Sequence, residues 1–323
     1  MKTETFAEFM KKIWHQLKPY LRWVILGVTL FFLGNAVKDH WQEVAAIEIT
    51  GTVWLYGAIA LLLTFLAHLW AGWVWGAILR LLKQSVKRGW VLRVYLKTNI
   101  AKYLPGNVWH FYGRVWAVKA AGISLSAATI SIVLEPLLMV AGALAIALAV
   151  SQLGWLASLA SFGNRKLQVL GLGIVLLGMH PRILNPVMQQ LSRLKAKNED
   201  VATLRLEGYP WFPLLGEIGF ILLRGAGFIF VALALAPVNL ASLPLLLGAF
   251  SFAWCLGLVI PTPGGLGVFE TTAIALLDQH FSAGIILSVV AVFRLISLVA
   301  EATAAGLAWL GDFLAERRRP TAE

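Results

Sequence analysis

Lys102, His110, Arg114, Glu135, Glu270 and Arg294 stand in or beside long apolar runs, where a charge has no ordinary use. A charged group at the centre of a bilayer costs about 2.5–3.5 kcal/mol even on a generous insertion scale, so each needs a counter-charge, water or a ligand. Arg224 and Glu301 fall under the same rule. Lys102, His110 and Arg114 cluster within a short segment. Basic pockets of that kind on the cytoplasmic side take anionic lipid head groups, and Glu135 and Glu270 would line the path or carry a proton. Structural readings stand beside these. Lys102 also fits a side chain that snorkels to the interface. Glu135 and Arg294 also fit a pair that only fixes how the helices assemble, with Glu301, two turns beyond Arg294, as a local alternative. Glu270 also fits stabilisation of the first turns of a helix through its dipole. His68 has no second ligand at metal-site spacing, so it reads as a hydrogen-bonded packing residue and no metal is expected. There is no nucleophile beside a base and no phosphate-binding loop, and no cofactor is expected. The remaining enzymatic option is His110 with a carboxylate as acid and base.

These residues are held around two interruptions. Leu104-Pro105-Gly106-Asn107-Val108-Trp109-His110-Phe111 and Thr262-Pro263-Gly264-Gly265-Leu266-Gly267-Val268-Phe269 both open on Pro-Gly and lead to an aromatic position. Pro105, Gly106, Pro263, Gly264, Gly265 and Gly267 read as turn residues. Each interruption precedes a long apolar run holding an ionisable residue at nearly the same distance: Glu135 lies 30 positions after Pro105, and Arg294 lies 31 after Pro263. Broken backbone at membrane depth is tolerated only where protein buries it or water reaches it. Both segments therefore read as re-entrant hairpins, near 95–118 and 241–277, in an inverted repeat. Transporters built that way bind their substrate at the midplane between repeats.

Composition supports this frame. Of 323 residues, 59% are hydrophobic and 13% charged, with mean hydropathy +0.78, against about 25% charged in soluble domains. The fold class is all-α, a polytopic transmembrane bundle, because the apolar runs do not alternate as barrel strands do. Spans are expected near 21–37, 53–79, 123–150, 167–180 extended at both ends, 212–236 and 282–311, about six in all. The loops 80–102 and 182–205 and the run Arg317-Arg318-Arg319 are basic and should be cytoplasmic, while 38–48 carries Asp39, Glu43 and Glu48 and belongs outside. Residues 1–20 then form an amphipathic helix on the cytoplasmic surface. Residues 21–150 form one transmembrane half, 151–312 the other, and 313–323 a cytoplasmic tail. The net charge of +11 reports this topology; no nucleic-acid-binding motif accompanies it. Both termini are placed in the cytoplasm of a bacterial-type plasma membrane. Cys255, alone, forms no disulfide within the chain. Most tryptophans lie near span ends, as interface anchors.

The strings Lys102-Tyr103-Leu104-Pro105-Gly106-Asn107-Val108-Trp109, Gly113-Arg114, Gly122-Ile123-Ser124, Pro261-Thr262-Pro263-Gly264-Gly265-Leu266-Gly267-Val268-Phe269-Glu270 and Phe293-Arg294-Leu295 resemble the lysylphosphatidylglycerol synthase transmembrane-region family. The resemblance covers most of the chain in order. It implies a flippase-like membrane domain that moves lipids or lipid-linked intermediates between leaflets, with anionic membrane lipids as partners. Aminoacylation is not expected, because the sequence ends at Glu323, just past the last span. Members often carry Arg after the glutamate matching Glu135; here Pro136 follows, which directs Glu135 towards Arg294. The other readings are a secondary transporter for a soluble solute and a scaffold without transport.

Overall fold

The computed structural model describes Lys38, residues 50–103, 108–152, 165–195 and 205–260, Gly265, and 267–317. The described chain is helical throughout, with no strand. In order it forms α1 (Gly51–Leu81), α2 (Arg88–Asn99) running into a 3-10 turn (Ile100–Tyr103), α3 (Trp109–Ala120), α4 (Leu125–Gln152), α5 (Arg165–Gly178) and α6 (Pro181–Lys195). Then come α7 (Trp211–Leu235), a short 3-10 turn (Leu240–Ser242), α8 (Leu243–Val259), α9 (Val268–Leu277) and α10 (Ala283–Arg317).

By length and composition, five helices among the described residues can cross a membrane: α1, α4, α7, α8 with its preceding turn, and α10. A sixth crossing arises if α5 and α6 make one span bent by 59°. The protein is thus an all-α polytopic bundle. The expected spans at 53–79, 123–150, 212–236 and 282–311 each lie on one of these helices. The expected span at 21–37, the surface helix 1–20 and the outer loop 38–48, apart from Lys38, lie outside the described residues.

Several boundaries differ from expectation for local reasons. The apolar run before the second interruption is continuous from Leu240 to Val259, long enough to cross by itself. The segment 241–277 is therefore one full-length helix and a ten-residue one. The basic stretch 80–102 is not a plain loop, because α2 occupies most of it, and 182–205 begins with the amphipathic α6. The bend between α5 and α6 falls at Pro181, which disfavours helical backbone at the residue before it. Residues 313–317 continue α10.

Gly122 ends α3 with φ +75°. Its N–H donates to Lys119 O (3.0 Å) and that of Ile123 to Val118 O (3.2 Å), the paired bonds of a Schellman stop. Only four residues separate α3 from α4, so the two pack together. The central seam is α1 against α7. A Cβ on Gly216 would stand 2.7 Å from Val74, and one on Gly227 2.8 Å from Thr64. Small residues bring these helices together, as is usual where lipid removes the hydrophobic drive between helices.

Three basic segments share one end of the bundle. Arg93 Nε lies 2.6 Å from Asp312 Oδ1 near the end of α10, Lys97 pairs with the same carboxylate, and Lys83 pairs with Glu207 just before α7.

Candidate functional site

Two polar clusters lie stacked along the α1–α7 seam. Spacing on both helices sets them: His68 and Trp75 on α1, and Glu217 and Arg224 on α7, are each seven residues apart. Seven residues are two turns and about 10 Å at 1.5 Å per residue, so each pair shares a helix face. Trp75 and Glu217 belong to the first cluster, His68 and Arg224 to the second.

The first cluster centres on Arg114, which α3 carries inward. Its Nη1 pairs with Glu135 Oε2 on α4, both side chains being 2–3% exposed. The second carboxylate oxygen receives the Tyr95 hydroxyl at 2.9 Å, and Arg114 Nη2 donates to Asn99 Oδ1 at 3.4 Å, both partners on α2. The guanidinium lies 3.9 Å from the centre of the Tyr95 ring and 5.5 Å from that of Trp75. Trp75 is held in turn by a bond from its Nε1 to Ser131 Oγ, 3.2 Å. An arginine over aromatic faces gains cation–π attraction that grows when water is excluded. Glu217 is wholly buried within electrostatic reach of Glu135 and Arg114.

The second cluster joins the turn after α2 to the last helix. Glu301 Oε1 accepts from Lys102 Nζ at 2.5 Å and lies 3.1 Å from His68 Nε2. Arg224 Nη1 lies 3.4 Å from the same histidine nitrogen. Its guanidinium sits over Trp254 (5.0 Å) and Phe293 (4.8 Å). His110 is buried within electrostatic reach of both Arg114 and Lys102, so it stands between the clusters.

A third group forms at the second interruption. Gly267 has φ +79°, a conformation that glycine adopts without strain. Its N–H donates to Glu270 Oε2 at 2.9 Å, while Glu270 Oε1 meets Arg294 Nη2 at 2.8 Å. Arg294 also approaches Gly265 O at 3.5 Å. This pair is 29% and 15% exposed. Around it α10 presents Leu295, Leu298 and Val299, all exposed, as a lipid-facing surface does.

The predicted residues thus fall into three places. Arg114 and Glu135 form the first cluster, Lys102 belongs to the second with His110 between the two, and Glu270 with Arg294 forms a separate pair. The expected partnership of Glu135 with Arg294 is replaced by Glu135 with Arg114, because α3 turns directly into α4 and brings the nearer cation. Glu301, the local alternative for Arg294, goes instead to Lys102 and His68. Lys102 is therefore ion-paired inside the bundle, and His68 is a hydrogen-bonded residue, as its isolation implied. Glu270 stabilises its own helix start, the structural reading, and also holds Arg294. Pro105, Gly106, Pro263 and Gly264 lie outside the described residues; Gly265 and Gly267 both have positive φ.

Sequence reasoning passed over Glu217, Tyr95, Asn99 and the cation-binding role of Trp75 and Trp254. The seven-residue spacing of Glu217 and Arg224 was the available signal. Trp54, Trp211 and Trp309 are exposed near helix ends, in keeping with interface anchors. No metal-ligating group of three or more His, Cys, Asp or Glu forms among the described residues. No protein-family model matches the chain, and no curated protein matches it.

Proposed function

We propose that this protein is a flippase-like transporter that moves an anionic lipid, or a lipid-linked intermediate, between leaflets. The observation that carries the reading is the Arg294–Glu270 pair: an ion pair beside broken backbone, partly exposed between lipid-facing leucines and valines. Arg294 lies eleven residues into α10, about 16 Å along it, at a depth suited to the bilayer interior. A lipid carrier needs a lateral opening, through which a head group enters while its tails stay in the bilayer, and a partly exposed pair suits the edge of one. A soluble solute needs a cavity closed to lipid. In this reading the head-group phosphate displaces Glu270 from Arg294 and meets the Lys102–His110–Arg114 segment from the other half, in a site between inverted repeats. The end carrying Arg93, Lys97 and Lys83 faces the cytoplasm. The resemblance to the lysylphosphatidylglycerol synthase transmembrane region supports the same function.

The test is a leaflet-exposure assay with labelled anionic and neutral lipids in vesicles containing the purified protein or the Arg294→Ala variant. Transfer selective for anionic head groups, reduced at least tenfold in the variant, is expected. Absence of transfer in protein shown to be folded transfers the reading to a soluble solute or to scaffolding.

A further inference from the structure

Glu217 is the one fully buried carboxylate whose oxygens both lack a hydrogen-bond partner among the described residues. The groups around it explain why this matters. From α4 it faces Glu135, from α3 Arg114, and the Tyr95 phenol on α2 lies within reach of its charge. Of the remaining ionisable side chains on helices packed against α7, His68 of α1 and Glu301 of α10 belong to the second cluster. Arg80 lies about one and a half turns beyond Trp75 on α1, Cys255 is the thiol of α8, Arg294 is held by Glu270, and Asp312 of α10 is held by Arg93 and Lys97. Along α7 itself, Arg224 is two turns away and engaged with His68.

Charge counting within the first cluster is simple. There is one guanidinium and there are two carboxyls. Glu135 uses both its oxygens, one for Arg114 and one for Tyr95. The guanidinium is thereby compensated, and nothing comparable reaches Glu217. An ionised carboxylate in an apolar interior without hydrogen bonds is so costly that such a group takes the neutral form instead. An intramembrane carboxyl with that environment is a functional site by default.

We propose that Glu217 is a proton-binding site, and that its proton decides which carboxylate holds Arg114. With the proton bound, Glu217 is a neutral acid and Arg114 stays on Glu135. When the acid gives its proton to water, forming hydronium and a carboxylate, Glu217 becomes a second anion beside the same cation. Arg114 then divides its interaction between α4 and α7. Because α3 carries Arg114 and follows directly from the first interruption, the proton on Glu217 sets how firmly that short helix is tied to α4. The site goes beyond lipid transport and stands whatever the cargo, so its test uses no transport.

The experiment is infrared spectroscopy of the full chain in nanodiscs of uncharged lipid, across a pH titration, reading the C=O stretch of a protonated carboxylic acid. At neutral pH the wild type is expected to show a band that is lost in Glu217→Gln and retained in Glu207→Gln, which changes an exposed carboxylate. The band is expected to give way to carboxylate absorption as pH rises. Glu135→Gln is expected to lose it at neutral pH although Glu217 is still present, because Arg114 is then free to hold Glu217 ionised. A spectrum unchanged by Glu217→Gln overturns the proton site. Loss in Glu217→Gln with retention in Glu135→Gln overturns the sharing of Arg114. Replacement of the band by sodium at fixed pH makes the occupant a metal cation and overturns the proposal. Should Glu217→Gln fail to fold, Glu217→Asp serves in its place, with the band expected to shift and the same outcomes read from it.

Discussion

Each Pro-Gly interruption leads into a short helix whose charge meets an opposite charge on the next long helix, yet the two pairs are built in reverse. In the first half the cation comes first, Arg114 to Glu135, 21 residues apart; in the second the anion does, Glu270 to Arg294, 24 apart. The first pair is sealed among Tyr95, Trp75 and Asn99, and the second opens towards exposed apolar side chains. The same device in two surroundings does two things. A sealed pair fixes how helices assemble, since neither water nor a head group reaches either charge and the other ionisable group beside Arg114 is the equally buried Glu217. An open one keeps water as a competitor and, on the proposed function, head groups as well, and can exchange.

That contrast orders the effects of substitution on stability. Arg114→Ala strands Glu135 in the interior, and breaking a buried pair by removing one partner costs about 3–5 kcal/mol. The loss should be measurable as unfolding in mixed detergent micelles. Arg114→Met with Glu135→Gln, which removes both charges, is expected to recover most of it; equal losses in the single and double variants would contradict the sealed-pair account. Lys102→Met comes next. It leaves Glu301 with His68 at 3.1 Å, and loss of a hydrogen bond to a charged group costs about 1.5–3 kcal/mol. In the second half, Gly267→Ala is expected to cost about 1–3 kcal/mol, the penalty of a Cβ in a sparsely populated backbone region, here φ +79° and ψ −44°. Nothing lies within 4 Å of the added methyl, so the effect should be the same with serine. A much larger loss would point to a packing contact instead.

The helices carrying these pairs were legible because apolar runs of more than twenty residues have one physical use. The expected spans and the observed α1, α4, α7 and α10 differ by a few residues at each end. Where the signal weakened, the reading did too. Charge alone makes the segments of α2 and α6 look like basic cytoplasmic loops, and it carries no information on the helices they form. The partner of Glu135 was misassigned for a different reason. Pro136 removed a neighbour from consideration, and a cation 21 positions earlier was not weighed against one in the other half. Buried polar contacts depend on which helix faces which, and hydropathy is silent on rotation about a helix axis. Glu217 is missed through a similar limit: its seven-residue spacing from Arg224 puts both on one face of α7, but the spacing does not say which helices that face meets.

The smallest change in stability should accompany the largest change in transport. Arg294→Ala removes an ion pair that is partly exposed; where water reaches such a pair through the proposed opening, it contributes about 0–1 kcal/mol. Glu270 keeps its bond from the Gly267 N–H, so the start of α9 should survive. Unfolding of the variant should therefore be nearly that of the wild type, while head-group-selective transfer falls at least tenfold. Arg294→Lys separates charge from geometry. An ammonium keeps the charge but loses the planar fork that meets a carboxylate or phosphate with two bonds. Transfer by the lysine variant should lie between wild type and alanine. If lysine restored transfer fully, the pair would act as a point charge in the opening; if alanine left transfer intact, the open pair would have no part in the path, and the lateral opening would have to be sought on another face of the bundle.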